Sequence, residues 1–390
     1  MGSRVSTRVR LSGVAFLMAM AAGCGGGGGV AEPVAPAPPP VAPPPASGLL
    51  DWDVHPAATV ALGQATPDSS DPTNLSQPSG GPAVTADGRL FVADGNLKAF
   101  DNYAGGGLAP QHDIAFSGSV HDVSVRENKV VIAHGDGVAI YNDASTIEED
   151  PDVFSSGING CAMDTMISPQ SAYLAPSGHL IVADTGNHRV LIWNPDKVPQ
   201  TGQLPGPSVV VGQEDPDTCE QNAGGGTESR SEFTLNEPQG VWSDGTRLVV
   251  ADKGNHRVLI WNQLPSEHFQ PASHVLGQAN FDEGSINRGG DTGPSAATLC
   301  EPRSVDVNEF GQMAVADSCN HRVLVWDSVP RADSVAANHV LGQNGFDDDT
   351  HPATPNSRNL NSPSGARFHK RNLIVVDSDH NRVVVFPASN

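Results

Sequence analysis

One short stretch occurs four times in this sequence, and that repetition constrains the fold more than any other feature. The copies are VADTGNHRVLIWN at 182–194, VADKGNHRVLIWN at 250–262, VADSCNHRVLVWD at 315–327 and VVDSDHNRVVVFP at 375–387, with weaker echoes at 92–102 and 132–143. Each copy has two apolar runs separated by a polar turn, which is the pattern of a β-hairpin. Self-similarity of this kind indicates a repeat architecture.

Each full copy is part of a longer unit that divides into four strands, named A to D in chain order. Strand A follows a proline, strands B and C form the hairpin, and strand D ends in a Gly-Gln pair. Strands B and C are almost continuously apolar, which is typical of sheets buried on both faces, as when blades stack around an axis. The units span 78–118, 119–157, 170–213, 238–278 and 302–343, and the sixth begins at Pro363.

The sixth unit lacks its strand D, and the missing strand is found at the other end of the chain. The sixth unit stops at strand C (383–386), whereas TVALGQ at 59–64 has the strand D signature and precedes any strand A. We therefore predict an all-β protein, a six-bladed β-propeller in which an N-terminal strand completes the last blade. This closure removes the exposed sheet edges that would promote aggregation.

The repeated residues resemble NHL repeats, a family of β-propeller repeats. The resemblance rests on the recurring Gly-Gln, the proline that opens most units and the VAD…NHRV core, and it is strongest in the last four units. It implies an NHL-type propeller over 49–390. The family includes binding scaffolds, extracellular sensor modules and a few enzymes, so the resemblance implies little about activity.

The amino terminus reads as an export signal. Arg4, Arg8 and Arg10 precede an apolar run at 11–23, which is too short to span a bilayer, since about 20 residues are needed. The run ends in Ala-Ala-Gly-Cys, which resembles the lipobox of bacterial lipoproteins, although Ala21 stands where that family usually has Leu. The resemblance implies a signal peptide at 1–23 and lipidation of Cys24. Cleavage at an ordinary small-residue site is the alternative.

Residues 24–48 are rich in glycine and proline and are expected to form a tether. Glycine makes a loose joint, and the prolines favour an extended rod. With a lipid on Cys24, this tether would hold the folded body away from a membrane. We expect a lipid-anchored protein of the bacterial cell envelope, at the outer membrane.

The charge of the chain limits its partners. Lys and Arg number 22 against 44 Asp and Glu, a net charge of −22. This argues against a nucleic-acid surface and against direct contact with anionic lipid, so the lipid anchor would be the only membrane attachment. We expect a monomer that binds a protein or glycan ligand.

Four cysteines remain after Cys24, an even number that favours disulfides in an exported chain. Cys300 lies just before strand A of the fifth unit and Cys319 in the hairpin turn of the same unit, so we predict that they pair. Cys161 and Cys219 lie in consecutive D-to-A loops, and we predict that they pair too. Four free thiols are the alternative. Since no C-x₂-C pair is present, a zinc site is not favoured.

The hairpins repeat an acid and a base at fixed spacing, and we interpret these residues as scaffold. Opposite charges that face each other across a hairpin stabilise it by about 0.2–1 kcal/mol. A catalytic ring is the alternative, and a residue repeated in every strong blade argues against it. His188, His256 and His321 share one turn position, but equivalent positions in different blades lie too far apart to bind one ion. The pairs are Asp184 and Arg189, Asp252 and Arg257, Asp317 and Arg322, and Asp377 and Arg382.

The longest connections join strand D of one unit to strand A of the next, so they emerge on one face. Long loops on a rigid scaffold are where recognition usually occurs. We take their acids as candidates for a binding face, with solvated loops as the alternative. No cofactor is predicted, and a calcium site near 347–349 is supported only weakly. The acids are Glu214, Asp215, Asp282, Glu283, Asp347, Asp348 and Asp349.

No catalytic signature is found, since G-x-S-x-G, H-E-x-x-H and P-loop patterns are absent from the sequence. The leading hypothesis is a non-catalytic binding scaffold for a protein or glycan. The alternative is a hydrolase or lyase with a metal in the axial channel, for which several strands A must bring ligands to the axis. The central units offer only Asp244, Asp306 and Asn308 there. A purely structural envelope role ranks third.

Overall fold

The described part of the chain consists of short strands joined by turns. The computed structural model describes residues 49–53, 55–107, 109–289 and 293–389. The predicted signal peptide, Cys24 and the tether lie outside these described residues. No helix within the described ranges is long and apolar enough to cross a membrane.

Twenty-five strands and ten single-turn 3₁₀ helices are present in the described residues. The first strands are β1 Val60–Leu62, β2 Ser79–Val84, β3 Leu90–Asp94, β4 Asn96–Phe100, β5 His112–Ile114, β6 Val120–Arg126, β7 Lys129–His134, β8 Gly137–Tyr141 and β9 Val153–Phe154. They are followed by β10 Ser171–Leu174, β11 Leu180–Asp184, β12 Arg189–Trp193, β13 Gly202–Gln203, β14 Val209–Val211, β15 Pro238–Ser243, β16 Leu248–Asp252, β17 Arg257–Trp261 and β18 His274–Leu276. The last are β19 Pro302–Val307, β20 Met313–Asp317, β21 Arg322–Trp326, β22 His339–Leu341, β23 Pro363–His369, β24 Asn372–Asp377 and β25 Arg382–Pro387. The 3₁₀ helices are Tyr103–Gly105, Ala144–Thr146, Thr185–Asn187, Pro195–Lys197, Gln221–Gly224, Gly226–Glu228, Lys253–Asn255, Ile286–Gly289, Ser318–Asn320 and Ser378–His380.

The strands form six separate sheets, which are the six predicted blades. Blades 1 to 5 follow the chain, with inner strands β2, β6, β10, β15 and β19. The sixth sheet has the order β1-β25-β24-β23, so its outer strand comes from the N-terminal side. Val60 pairs with Val385 and Leu62 with Val383 in antiparallel register. The predicted six-bladed propeller and its closure are therefore confirmed.

Blade 2 has a fifth strand that the sequence analysis does not predict. The outer strand β9 is followed by β13, which runs parallel to it. Because β13 belongs to the C-to-D connection of blade 3, it joins the outer edges of two consecutive blades. Two residues, Gly202 and Gln203, are too short a run to show a strand pattern in the sequence.

The hairpin strands B and C are buried on both faces, as their apolar runs indicate. Every residue of β11, β12, β16, β17, β20 and β21 is buried. Trp193, Trp261 and Trp326 end strand C in three successive blades and are almost wholly buried. Each indole N–H donates to a main-chain carbonyl in the C-to-D loop of its own blade. The core therefore lies between adjacent blades.

The two faces of the propeller differ in their connections. We call the face with the D-to-A loops and the B-to-C turns the loop face, and the one with the A-to-B turns the turn face. The described chain begins at the turn face, where the main chain of Leu50 binds the side chain of Gln312. The Leu50 N–H donates to Gln312 Oε1 at 2.8 Å, and Gln312 Nε2 donates to the Leu50 carbonyl at 2.7 Å. Trp52 packs beside Phe368 there, with ring centroids 6.1 Å apart.

Candidate functional site

The repeated Asp and Arg face each other across each hairpin, as predicted. Asp252 is paired in register with Arg257, and Arg257 Nε donates to Asp252 Oδ2 at 2.7 Å. The same pair and the same distance occur in blades 3, 5 and 6. However, all four pairs are fully buried. They are therefore more than the cross-strand surface contacts that the spacing alone indicates.

The guanidinium groups of these four residues, which we call the hairpin arginines, hold the long loops in place. In Arg257, Nη2 donates to the carbonyls of Ser231 and Thr234 in the loop before its own blade. Nη1 donates to the carbonyl of Phe281 in the loop after the blade. Arg189, Arg322 and Arg382 make equivalent contacts. Each hairpin arginine thus connects two consecutive D-to-A loops.

The histidines that could suggest a metal are contacts between blades. His188, His256 and His321 each have a left-handed backbone, with φ of 53°, 51° and 54°. Each Nδ1 accepts a hydrogen bond from the main-chain N–H just before strand A of the next blade, at 3.0 to 3.1 Å. Burial lowers the pKa of all three, which favours the neutral ring that accepts this bond.

Both predicted disulfides are present. Cys161 is bonded to Cys219 and Cys300 to Cys319, each with a Cα–Cα distance of 5.4 Å. The first joins two consecutive D-to-A loops, and the second joins a D-to-A loop to the hairpin turn of the next blade. They fix the same loops that the hairpin arginines hold.

The seven acidic candidates of the loop face separate into two groups. Asp215, Glu283 and Asp348 accept hydrogen bonds from neighbours in their own loops and build turns. The side chains of the other four make no hydrogen bond or ion pair within the described ranges and are exposed; these residues are Glu214, Asp282, Asp347 and Asp349. The acids occupy separate loops, and the described residues contain no group of three His, Cys, Asp or Glu that could hold a metal ion.

A second candidate site lies on the propeller axis, where the strands A converge. Arg367 from blade 6 donates to Asp122 from blade 2, at 3.1 Å. Asp122 also accepts bonds from Ser171 Oγ at 2.7 Å and from the Gly81 N–H at 2.6 Å. A Cβ at Gly81 would lie 2.1 Å from Arg367 Nε, so the close approach requires glycine. We call Asp122, Asp306 and Arg367 the axial centre.

Burial governs the protonation of the axial centre. It raises the pKa of Asp306 to about 6, although Arg367 acts in the opposite direction. Burial likewise raises the pKa of Asp122, and it raises that of the neighbouring Tyr173 to about 12. For Arg367, burial would lower the pKa, but the carboxylates of Asp122 and Asp306 raise it. Arg367 therefore stays charged, and Asp306 titrates close to neutral pH.

A cavity of about 360 Å³ lies beside the axial centre, on the side of the turn face. Asp306, Arg367 and Tyr173 line it, together with Asn308 and His369 from the ends of strands A. Of the three axial candidates from the sequence, Asp306 and Asn308 line the cavity. Asp244 instead binds Arg247 in its own turn, at 2.8 Å. A guanidinium does not ligate metal ions, so the side chains at the centre do not match the axial metal of the alternative hypothesis.

The sequence analysis does not name Asp122 and Arg367, because they lie in blades 2 and 6 and its axial candidates come from blades 3 to 5. The register of strands A with strands B shows what could have found Asp122. At its position the other blades have small residues, among them Ser171, Ser304 and Gly365. An acid at a position otherwise taken by Ser or Gly is a detectable exception.

Comparisons with known proteins agree with this architecture. A family model of the NHL repeat matches residues 167–193 and 299–326, which lie in blades 3 and 5. Similar solved structures include an auxiliary nutrient binding protein from Bacteroides thetaiotaomicron VPI-5482, 10% identical, with a TM-score of 0.53 over 86% of this chain and 76% of that chain. A protein of unknown function from the same organism is 10% identical, with a TM-score of 0.52 over 87% of this chain and 75% of that chain. Identities this low show the fold alone. No match to a curated protein was found.

The sheet order and the repeats together define the class of protein. The chain is a six-bladed β-propeller scaffold, closed by a strand from its N-terminal side. Within that class it contains NHL repeats: the repeat is matched in two blades, and the conspicuous hairpin residues recur in four.

Proposed function

We propose that this protein is an exported, envelope-anchored binding scaffold whose loop face recognises a protein or glycan ligand. The observation that supports this most is the fixation of the long loops by four buried hairpin arginines and two disulfides. Rigid loops lose little conformational freedom when a partner binds, so more of the contact energy appears as affinity. The four exposed, unpaired acids on these loops supply polar groups for recognition.

The position of the chain start is consistent with this role. The described chain begins at the turn face, at Leu50 and Gln312, on the opposite side from the long loops. These first described residues therefore leave the loop face uncovered and available to a partner.

Binding should be tested with a soluble form that starts at Gly48. It would be applied to glycan arrays and to cross-linking capture from envelope extracts of the source cell. We expect a captured ligand to lose affinity on combined Glu214→Gln, Asp282→Asn and Asp347→Asn substitution. The matched control is Asp196→Asn with Glu267→Gln, two exposed acids of C-to-D loops. If the captured ligand no longer bound the control but still bound the loop-face variant, the proposal would be contradicted.

The axial centre supports a second candidate, catalysis on a small substrate in the axial cavity. The observation in its favour is Asp306, whose pKa of about 6 suits a general acid or base near neutral pH. A panel of lactone, ester and lyase substrates should then reveal an activity that Asp306→Asn removes and Asp244→Asn keeps. An activity that survives Asp306→Asn would exclude this centre. Metal analysis of the purified protein would test directly the alternative hypothesis of a metal in the axial channel.

A further inference from the structure

The outer strand of most blades is covered by a loop of the next blade. In blade 3 the carbonyl of Val210 accepts the Phe269 N–H at 3.0 Å, and in blade 4 the carbonyl of Val275 accepts the Ser334 N–H at 2.8 Å. β13 covers blade 2 in the same way, and Gly107 exchanges main-chain bonds with β1 of blade 6. These contacts satisfy the outward-facing main-chain groups that a sheet edge otherwise exposes.

Blade 1 departs from this arrangement. Asp113 in β5 is paired with Lys98, just as Val210 is paired with Leu191 and Val275 with Leu259. By this register its main-chain N–H and carbonyl face outward. Within the described ranges, the C-to-D loop of blade 2 makes no main-chain bond to them. A side-chain hydrogen bond joins the strand to this loop instead, between His112 Nδ1 and Glu148 Oε1, at 2.8 Å.

A cavity of about 640 Å³ lies beside this open edge, and we call it the rim groove. It begins at Ile114, at the end of β5, and is bordered by the C-to-D loop of blade 2. Three aromatic rings line it, those of Phe116, Tyr141 and Phe154. Phe154 is 45% exposed, which is unusual for a large apolar side chain in this fold.

The charge around the rim groove has one sign. Asp136, Glu148, Glu149 and Asp150 line it, and no Lys or Arg is among its described lining residues. Burial lowers the pKa of His134, the one histidine in the lining, so it adds no positive charge at neutral pH. A groove with aromatic walls and a carboxylate border complements apolar groups and cations.

We propose that the rim groove binds an extended segment of a partner protein that adds to the edge of β5. Strand addition supplies main-chain hydrogen bonds, and alternate side chains point to opposite sides. The segment would therefore alternate apolar residues, which enter the groove, with Lys or Arg, which face the carboxylates. The edge is only three residues long, which limits indiscriminate pairing, and the carboxylates of the groove repel acidic strands.

The proposal can be tested by selecting displayed random ten-residue peptides on the purified full-length protein. We expect enrichment of peptides that alternate Lys or Arg with apolar residues and lack proline. Their affinity, measured by fluorescence anisotropy, should fall roughly fivefold in Glu149→Gln with Asp150→Asn, and about tenfold or more in Phe154→Ser. Both sites are solvent-accessible, so these variants should remain folded. Asp196→Asn with Glu267→Gln is the matched control and should bind as the wild type does.

Hydrogen exchange separates strand addition from other binding. A bound peptide should slow exchange of the Asp113 amide. Selection of acidic or proline-containing peptides, no peptide binding more tightly than about 1 mM, unchanged affinity in both groove variants, or unchanged exchange at Asp113 would each overturn the proposal.

Discussion

At the scale of single residues, the hairpin arginines combine two tasks that the repeat pattern does not distinguish. Each neutralises a buried aspartate, and each donates to main-chain carbonyls of the loops on both sides of its blade. Removing one leaves a buried carboxylate and several carbonyls without partners, which is costly because these groups cannot reach water.

We therefore expect Arg257→Ala to lower the free energy of unfolding by about 3–5 kcal/mol, as measured by urea denaturation. The control is Arg89→Ala, which removes a partly exposed pair with Asp101 and should cost under about 1 kcal/mol. Similar losses in the two variants would contradict a special role for the buried arginine. Loop mobility should also rise in Arg257→Ala, visible as faster hydrogen exchange at 231–234 and 281.

Asp306 gives a prediction for pH. Its pKa rises from 3.8 to about 6 on folding, so the folded state favours the protonated form. Protonation therefore contributes stability at low pH, and this contribution is lost as the pH rises from about 4 to about 6. Asp306→Asn cannot titrate, so its stability relative to the wild type should increase between pH 4 and 7 by up to about 3 kcal/mol. Asp196→Asn is the control, and its stability relative to the wild type should not change with pH. If the difference in free energy of unfolding between Asp306→Asn and the wild type were also constant from pH 4 to 7, the raised pKa of Asp306 would be refuted.

At the scale of elements, the last blade depends on a strand from the other end of the chain. Leu62 in β1 is fully buried against residues of blades 1 and 6. We expect a protein that starts at Pro78 to aggregate or to melt far below one that starts at Gly48, by circular dichroism and light scattering. Leu62→Ala in the longer protein should cost about 2–5 kcal/mol. Equal melting temperatures for the two starts would contradict closure.

The disulfides stabilise the loops at the same scale. Their sequence separations are 58 and 19 residues, for which chain entropy predicts about 4 and about 3 kcal/mol. Cys161→Ser with Cys219→Ser should therefore destabilise somewhat more than Cys300→Ser with Cys319→Ser. Peptide mapping of unreduced protein checks the pairing, and a Cys219–Cys300 peptide would show that the loops are placed wrongly.

Most elements could be predicted because four blades repeat the same residues, whereas the sites could not. The hairpins, the ring closure and the cysteine pairs follow from positions compared between copies. Asp122 and Arg367 occur once each, and only folding brings blades 2 and 6 to a common axis. The edge of β5 is open because a main-chain contact that forms in other blades does not form there, and no pattern in the sequence indicates this. The long-range contacts of the hairpin arginines are likewise made to main-chain atoms, which any loop sequence supplies.

At the scale of the whole molecule, anchoring remains a prediction that cell fractionation can check. Cys24→Ser should move the protein from the membrane fraction to the soluble envelope fraction, because we expect a lipid on Cys24 to be its only attachment to the membrane. Ser3→Ala, in the predicted signal peptide, should leave the distribution unchanged. Membrane association that persists in Cys24→Ser would mean that another attachment exists.

Closure of the ring also sets an order in time. β1 is synthesised early, but its partner β25 lies roughly 300 residues further along the chain. At ordinary rates of synthesis, β1 is therefore without its partner for on the order of tens of seconds. During that interval no ring can exist, whatever the other five blades have done. A chain cut short before β25 and a chain trimmed past β1 leave the same blade incomplete. The sixth blade can therefore be completed only in a chain that contains every strand from β1 to β25.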